Sequence, residues 1–203
     1  KIVKSQHSFL ASLIKGSGLS PKLKKVLGSL FGYKEVTEEE IVTFARNLYE
    51  CSTCGQCHVV CPANIDTVNI WETIRRSIVE AHYGPLEAQK ALVQSVKSFD
   101  NPWQQPRAGR TKWAKWAKKE NLIPQLPKDI KKNRAKILLF LGCTAAYDIN
   151  VNKIAISTVN ILEKLGIEYG CLGKDEKCCG SVLLRMGEPE FERIARDNIK
   201  TFN

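Results

Sequence analysis

The chain has 203 residues, 31 Lys and Arg against 21 Asp and Glu, 43% hydrophobic residues, eight cysteines and a formal net charge of +10. This balance excludes a disordered tail, a collagen-like repeat and an integral membrane protein: there is enough apolar content for a core, yet no apolar run approaches the roughly 18 residues that a spanning helix needs. No hydrophobic signal segment opens the sequence, so a disulfide framework is unsupported, and clustered cysteines in the expected cytoplasmic setting read as metal ligands or redox groups.

Residues 1–35 are basic and loosely amphipathic, and two short helices broken at Gly16 and Gly18 fit them best. The sequence starts at Lys1 rather than Met, and a further N-terminal stretch is expected before it. Thr37 followed by Glu40 is a capping box, Glu38 to Glu40 suit a helix N-terminus, and Ile41, Phe44, Ala45 and Leu48 give one apolar face. That helix delivers the chain into Cys51. After Pro62, Asp66 is an N-cap candidate. Val68, Trp71, Ile74, Ile78 and Ala81 then recur near helical spacing until Gly84-Pro85 stops them, and a further helix is expected from Leu86 to Phe99. The first 100 residues therefore read as all-helical. The turn residues Asp100-Asn101-Pro102 follow, and residues 101–136 hold eleven Lys and Arg against Glu120 and Asp129, most of the excess charge of the chain.

The period changes at Lys136. Ile137 to Leu141 is a continuous apolar run of buried-strand length closed by Gly142, and a helical pattern follows from Ile149 to Leu165 and stops at Gly166. Ile167 to Gly170 reads as a second strand. A loop holding Cys178-Cys179-Gly180 comes next, then a helix with Pro189 at N1. This β-α-β-α order is half of an α/β domain with parallel strands.

Four cysteines lie in Cys51-Ser-Thr-Cys54-Gly-Gln-Cys57-His-Val-Val-Cys61-Pro62. The spacing C-x2-C-x2-C-x3-C-P is the bacterial ferredoxin run for a [4Fe-4S] cluster. Two-residue spacers let a tight turn aim three thiolates at one cube while backbone N–H groups face its sulfides. Gly55 is expected to remove a Cβ where the backbone comes close, and Pro62 ends the turn. Zinc is disfavoured, because zinc motifs usually pair two C-x2-C units across a dozen or more residues. His58 is given no role. In two-cluster ferredoxins the fourth cysteine serves the other cluster, so whether Cys61 completes this site stays open.

The second group is Cys143, directly after the first strand, and the adjacent Cys178 and Cys179, which Gly180 follows. A vicinal pair points two thiols in different directions and suits a large multi-iron centre, for which Gly180 leaves room. A reduced set of core thiols, or a vicinal redox pair, would read the same way. Cys171 is expected to be a plain buried thiol.

With these residues, "LFLGCTAAYD" around Cys143 and "LGKDEKCCGSVLLRMGEPE" around the pair, together with "CSTCGQCHVVCPANIDT" and "NPWQQPRAGRTKW", the sequence resembles the CCG-domain iron–sulfur subunits of heterodisulfide reductase, most of all the D type, in which a ferredoxin domain is fused to the CCG domain. The resemblance covers most of residues 37–203. It implies an α-helical ferredoxin-like domain over residues 1–100, a basic connection over 101–135, and the first half of an α/β CCG domain over 136–203. It also implies a second ferredoxin run before Lys1 and a closing C-x2-C pair beyond Asn203. Cys51, Cys54 and Cys57 are expected to hold a cubane [4Fe-4S] cluster, with Cys61 a ligand of that cluster or of a second one, and by resemblance Cys143, Cys178 and Cys179 bind a noncubane [4Fe-4S] centre at which a disulfide is cleaved. The implied partners are a cytochrome b-type membrane subunit or a flavin-containing subunit, on the cytoplasmic face of the membrane. Iron–sulfur subunits associated with dissimilatory sulfite reductase, and those of anaerobic glycerol-3-phosphate, glycolate or lactate oxidation, have a similar layout.

The function expected is that of an electron-transfer oxidoreductase subunit, catalytically incomplete as it stands. Trp103, Trp113 and Trp116 interleave with lysines and arginines in the basic connection, a mixture that also suits a nucleic-acid surface. No nucleic-acid fold motif accompanies it, so the favoured reading is a solvated helix face whose tryptophans dock on the helical domain and whose lysines offset anionic clusters or an acidic partner.

Overall fold

Helix caps and apolar periodicity account for most of the architecture. The computed structural model describes Ser20 and residues 36–203; the two short helices expected within residues 1–35 lie outside the described residues. The chain divides into two compact units, one reaching to Glu87 and including Arg185–Gly187, the other formed by Ala88–Leu184 and Glu188–Asn203.

Three helices form the described part of the first unit, α1 (Glu38–Glu50), α2 (Gln56–Val59) and α3 (Thr67–Glu80). The capping box is present: Glu40 N donates to Thr37 Oγ1 at 3.2 Å and Thr37 N donates to Glu40 Oε2 at 2.9 Å. Asp66 caps α3 by accepting from Asn69 N at 3.1 Å. Ala45, Leu48, Tyr49 and Ile78 form a core with Trp71, Ile74, Tyr83, Leu86 and Met186 around it. Phe44, expected on the apolar face, is instead exposed, because the buried stripe runs through Ala45 and Leu48.

The remaining elements are α4 (Glu87–Phe99), a 3-10 turn (Arg107–Thr111), α5 (Lys112–Lys119), β1 (Ile137–Leu138), α6 (Gly142–Tyr147), α7 (Asn152–Lys164), β2 (Tyr169–Gly170), a 3-10 turn (Gly173–Asp175), α8 (Ser181–Met186) and α9 (Phe191–Phe202). Strands β1 and β2 are parallel, pairing Ile137 with Tyr169 and Leu138 with Gly170. The connection between them is helical, as the parallel arrangement demands.

Several expectations need correction. The apolar run from Ile137 is a two-residue strand with Ile137 exposed, and pairing continues only as far as Leu139 N, which donates to Gly170 O at 2.8 Å. Helix α8 stands within the stretch between the vicinal cysteines and Pro189 where a loop was expected, and the short helix α6 precedes the helical pattern expected from Ile149. The last helix starts at Phe191: Phe191 N bonds to Glu188 O and Glu192 N to Pro189 O, so Pro189 sits in the turn before it. The helical pattern after Ile149 is apolar on two sides. Ala155 and Val159 on α7 are buried, whereas Ile154, Ile161 and Leu165 face outward.

The tryptophans of the basic stretch do not behave as expected either. Trp113 docks into the core of the second unit, with Ala114, Ala117, Ile123, Ala145, Ala146, Ala155, Val159 and Tyr169, while Trp116 is largely exposed. Farther along the same stretch, Ile130 N donates to Cys171 O at 3.0 Å and Cys171 N to Lys128 O at 2.8 Å, a strand-like bridge just past β2. Among the described residues no helix is long and apolar enough to cross a membrane.

Candidate functional site

Cys51 is the C-cap of α1, so the helix aims the chain into the cysteine run as anticipated. The turn that follows is built from left-handed residues, Thr53 at φ 55° and Gly55 at φ 83°. Gly55 is the N-cap of α2, and a Cβ there would meet only Val68 at an ordinary 3.9 Å. Backbone conformation is therefore what requires glycine, rather than the close approach expected from the sequence. Cys57 rides on α2, and its Sγ lies 2.7 Å from Thr67 Oγ1 at the start of α3. Cys61 N–H bonds to His58 O, and Cys61 O accepts from Asn64 N. His58 Nδ1 lies 2.9 Å from Ile65 O, so the imidazole ties the loop together.

Cys54 and Cys57 are exposed and Cys51 and Cys61 half-buried. Thr53 N donates to Cys51 Sγ at 3.4 Å. The Cys54 thiol is lowered from its ordinary value, first by the backbone N–H of Gln56 and then by the Ser52 side chain. These are the conditions thiolates need: accessible sulfurs among backbone donors.

The anchor of this turn is a residue that no sequence motif singles out. Arg75, on α3, is buried and donates to Leu48 O at 2.8 Å, to Cys51 O, and to Arg185 O at 2.9 Å, with its guanidinium 5.2 Å from the Tyr49 ring centre. Carbonyls at a helix C-terminus lack intrahelical partners and attract a cation, so Arg75 fixes where α1 ends and where Cys51 begins. Arg185 supports the next residues by donating to Ser52 O, Thr53 O and Thr53 Oγ1.

The second set of cysteines lies in the other unit. Cys143 is in the first turn of α6 and is buried, as is Cys178, while Cys179 is exposed. The structure brings these three together. The Cys178 thiol lies beside those of Cys143 and Cys179, and its interaction with the two pushes Cys178 well above the ordinary thiol value. The same interaction with Cys178 holds Cys143 below it and brings Cys179 down to about 5. Cys178 is itself fixed by its backbone: its N–H donates to Asp100 O at 2.9 Å, and its carbonyl accepts from Asn198 Nδ2 of α9 at 2.8 Å. Gly180 has φ 86°, and a Cβ there would meet Phe191 at 3.0 Å and Ile194 at 3.2 Å. The space it leaves is filled by α9, not held open for a bound group as expected.

Beside the thiols is a buried ion pair that sequence reasoning missed. Arg110 Nη2 donates to Cys143 Sγ at 3.1 Å and Arg110 Nη1 to Glu176 Oε1 at 2.8 Å, and both charged side chains are 2% exposed. Glu176 also accepts from Leu141 N at 3.1 Å and Gly142 N at 3.0 Å. Tyr147 covers the guanidinium, 5.4 Å from its ring centre. Burial pulls Arg110 down, but the charges of Cys143 and Glu176 outweigh it and raise Arg110 above its ordinary value. Burial raises Glu176, with Arg110 and the two N–H groups acting against it. The only hint in the sequence was the glutamate two residues before Cys178; Arg110 lies 33 residues from Cys143 along the chain. Cys171 is buried and pushed up to about 12, first by burial and then by Glu176.

Among the described residues no three His, Cys, Asp or Glu side chains close around a point that would hold a single metal ion. Fit to an iron–sulfur group rests on the donors themselves. Each set is all thiol, with N–H or guanidinium donors beside it to offset the negative charge that such groups carry.

Residues 137–203 match the family described as CCG, a cysteine-rich domain. The chain is 38% identical over 169 residues to the D-type subunit of the dihydromethanophenazine:CoB--CoM heterodisulfide reductase of Methanosarcina barkeri, covering 83% of this chain and 38% of that protein. It is 33% identical over 172 residues to the probable iron-sulfur-binding oxidoreductase FadF of Bacillus subtilis (82% of this chain, 23% of that protein). It is also 29% identical over 164 residues to the EtfAB:quinone oxidoreductase of Syntrophomonas wolfei (80% and 22%). The chain thus spans less than half the length of each of these relatives. No solved structure gives a significant match. With its cysteine-rich domain and this similarity over most of its residues, the chain belongs to the family of iron–sulfur proteins typified by the D-type heterodisulfide reductase subunits.

Proposed function

We propose that this chain carries two iron–sulfur stations of an electron-transferring oxidoreductase. The first is a ferredoxin-like site in which Cys51, Cys54 and Cys57, with Cys61 as the fourth thiol of the run, hold a [4Fe-4S] cubane. At the second, Cys143, Cys178 and Cys179 contribute to a noncubane [4Fe-4S] centre at which a disulfide is reduced. Bound there, such groups supply one-electron transfer. Cleaving one disulfide into two thiols takes two electrons and two protons, so single-electron stations must deliver in succession. The reductant would be a flavin-containing or cytochrome b-type partner.

The observation that carries this reading is the meeting of the three thiols from two separate segments beside a buried guanidinium, within the part of the chain that matches the cysteine-rich domain. The chain's own groups do three things. Arg75 fixes the turn that presents Cys51. Arg110 and the Leu141–Cys143 turn hold Cys143 in place. The bonds of Asp100 and Asn198 to the Cys178 backbone set the direction of the vicinal pair.

The test is iron and acid-labile sulfide analysis with electron paramagnetic resonance on anaerobically purified full-length protein, titrated with a disulfide. Two distinct signals are expected, one of which changes on addition of the disulfide. Colourless, iron-free protein overturns the reading. The similarity to the EtfAB:quinone oxidoreductase favours a second reading, in which the same stations pass electrons towards a quinone. Signals indifferent to disulfide but reoxidised by a quinone would select it.

A further inference from the structure

Arg110 is the buried cation nearest the thiols, and its surroundings are unusually specific. One nitrogen faces Cys143 Sγ at 3.1 Å, a second faces Glu176 at 2.8 Å, and the Tyr147 ring lies against the guanidinium face. Glu176 is held by the N–H groups of Leu141 and Gly142, immediately before Cys143, and sits two residues before Cys178. The pair therefore ties together the 3-10 turn, the entry to α6 and the approach to the vicinal cysteines.

Had packing alone been required, an apolar pair of similar volume would serve as well or better, since burying two opposite charges costs about as much as their attraction returns. The arrangement differs from a plain ion pair in that the third partner of the guanidinium is a sulfur. A cation within hydrogen-bond distance of a thiol favours the anionic sulfur. A carboxylate on the far side of the same cation weakens that effect without cancelling it, because it stands farther from the sulfur than the cation does.

We propose that Arg110, oriented and partly neutralised by Glu176, is a positioning residue that compensates negative charge at Cys143, with the two side chains acting in opposite directions on that sulfur. Resting on the function proposed above, the same opposition sets the reduction potential of the centre that Cys143 serves. Arg110 favours its reduced, more negative state and Glu176 disfavours it.

The experiment uses Arg110→Met, Arg110→Lys and Glu176→Gln in the full-length protein, with two readouts. In metal-free protein, alkylation of Cys143 by iodoacetamide near neutral pH is followed by mass spectrometry. Arg110→Met should slow it at least about tenfold, Arg110→Lys should restore most of the rate, and Glu176→Gln should speed it. In iron-loaded protein, the midpoint potential of the second centre should fall in Arg110→Met and rise in Glu176→Gln, a tenfold change in the one-electron equilibrium being about 59 mV.

A purely structural pair predicts something else: both variants loosen packing, and both expose Cys143 to faster alkylation. Rates that move in the same direction, or stay at wild type, overturn the proposal. Glu176→Gln keeps one oxygen acceptor, enough for Gly142 N and Arg110 Nη1, and gives up the one that accepts from Leu141 N, so it is the milder of the variants and carries the sign test even where Arg110→Met does not fold. Absence of any reversible iron–sulfur signal defeats the proposed function but leaves the ordering of alkylation rates to be met. Intact signals with unordered rates and unmoved potentials defeat this inference alone.

Discussion

Replacing Arg75 with methionine should destabilise the first unit by about 3–5 kcal/mol. The side chain is 2% exposed and holds three carbonyls, Leu48 O, Cys51 O and Arg185 O. A hydrogen bond to a charged donor contributes about 1.5–3 kcal/mol, and a buried acceptor left without a partner costs about 1–3 kcal/mol. Leu48 O is fully enclosed and the other two are partly so, which sets the sum well below three full penalties. Methionine retains much of the buried stem volume, so the loss reports the polar contacts rather than a cavity. Arg75→Lys should fall between wild type and Arg75→Met, because one ammonium cannot follow the guanidinium fork in three directions. Urea denaturation followed by tryptophan fluorescence, with unchanged slopes, reads the difference. An Arg75→Met midpoint equivalent to less than about 1 kcal/mol of loss would refute the assignment of Arg75 as the anchor of the Cys51 turn.

Three further outcomes are expected. Thr37→Ala removes the capping box and should cost about 1 kcal/mol in the same denaturation experiment, with Thr37→Ser near wild type. Asn101 is fully buried; it donates to Phe99 O and Gln105 O and accepts from Trp103 N, so Asn101→Ala should cost about 2–4 kcal/mol, read as a lowered melting temperature. The Cys171 thiol has its folded-state value raised, so it contributes stability that is present below the ordinary value of 9.0 and is lost as pH rises towards about 12. Stability should therefore fall across that window with a slope of up to about 1.4 kcal/mol per pH unit from this group, and Cys171→Ala should flatten the fall. An identical pH profile in the variant would show that Cys171 does not ionise on unfolding.

Local chemistry made much of this legible in advance. The cap at Thr37, the cap at Asp66 and the change of period at Lys136 each depend on residues within one or two turns of one another, and each is where it was expected, whereas α3 already ends at Glu80, ahead of the stop expected at Gly84-Pro85. The spacing of the four cysteines from Cys51 to Cys61 is legible for the same reason: a short turn leaves the thiols few directions. The contents of the basic stretch were not legible. A run of lysines with tryptophans reads alike whether Trp113 faces solvent, nucleic acid or a core, and its choice depends on Ala145, Ala155 and Val159, which lie more than thirty residues away.

Pairing across long separations was hidden most completely. Arg110 meets Cys143 and Glu176, and Arg75 meets Leu48, Cys51 and Arg185, at separations from 24 to 110 residues. Buried guanidiniums are rare because desolvation is costly, and a position becomes suitable only when several separate segments arrive with their acceptors already aimed. Composition and periodicity specify which helices form and which thiols stand close along the chain. The charges placed beside those thiols follow from packing, because a cation stays inside only where the fold has assembled partners for it from every side.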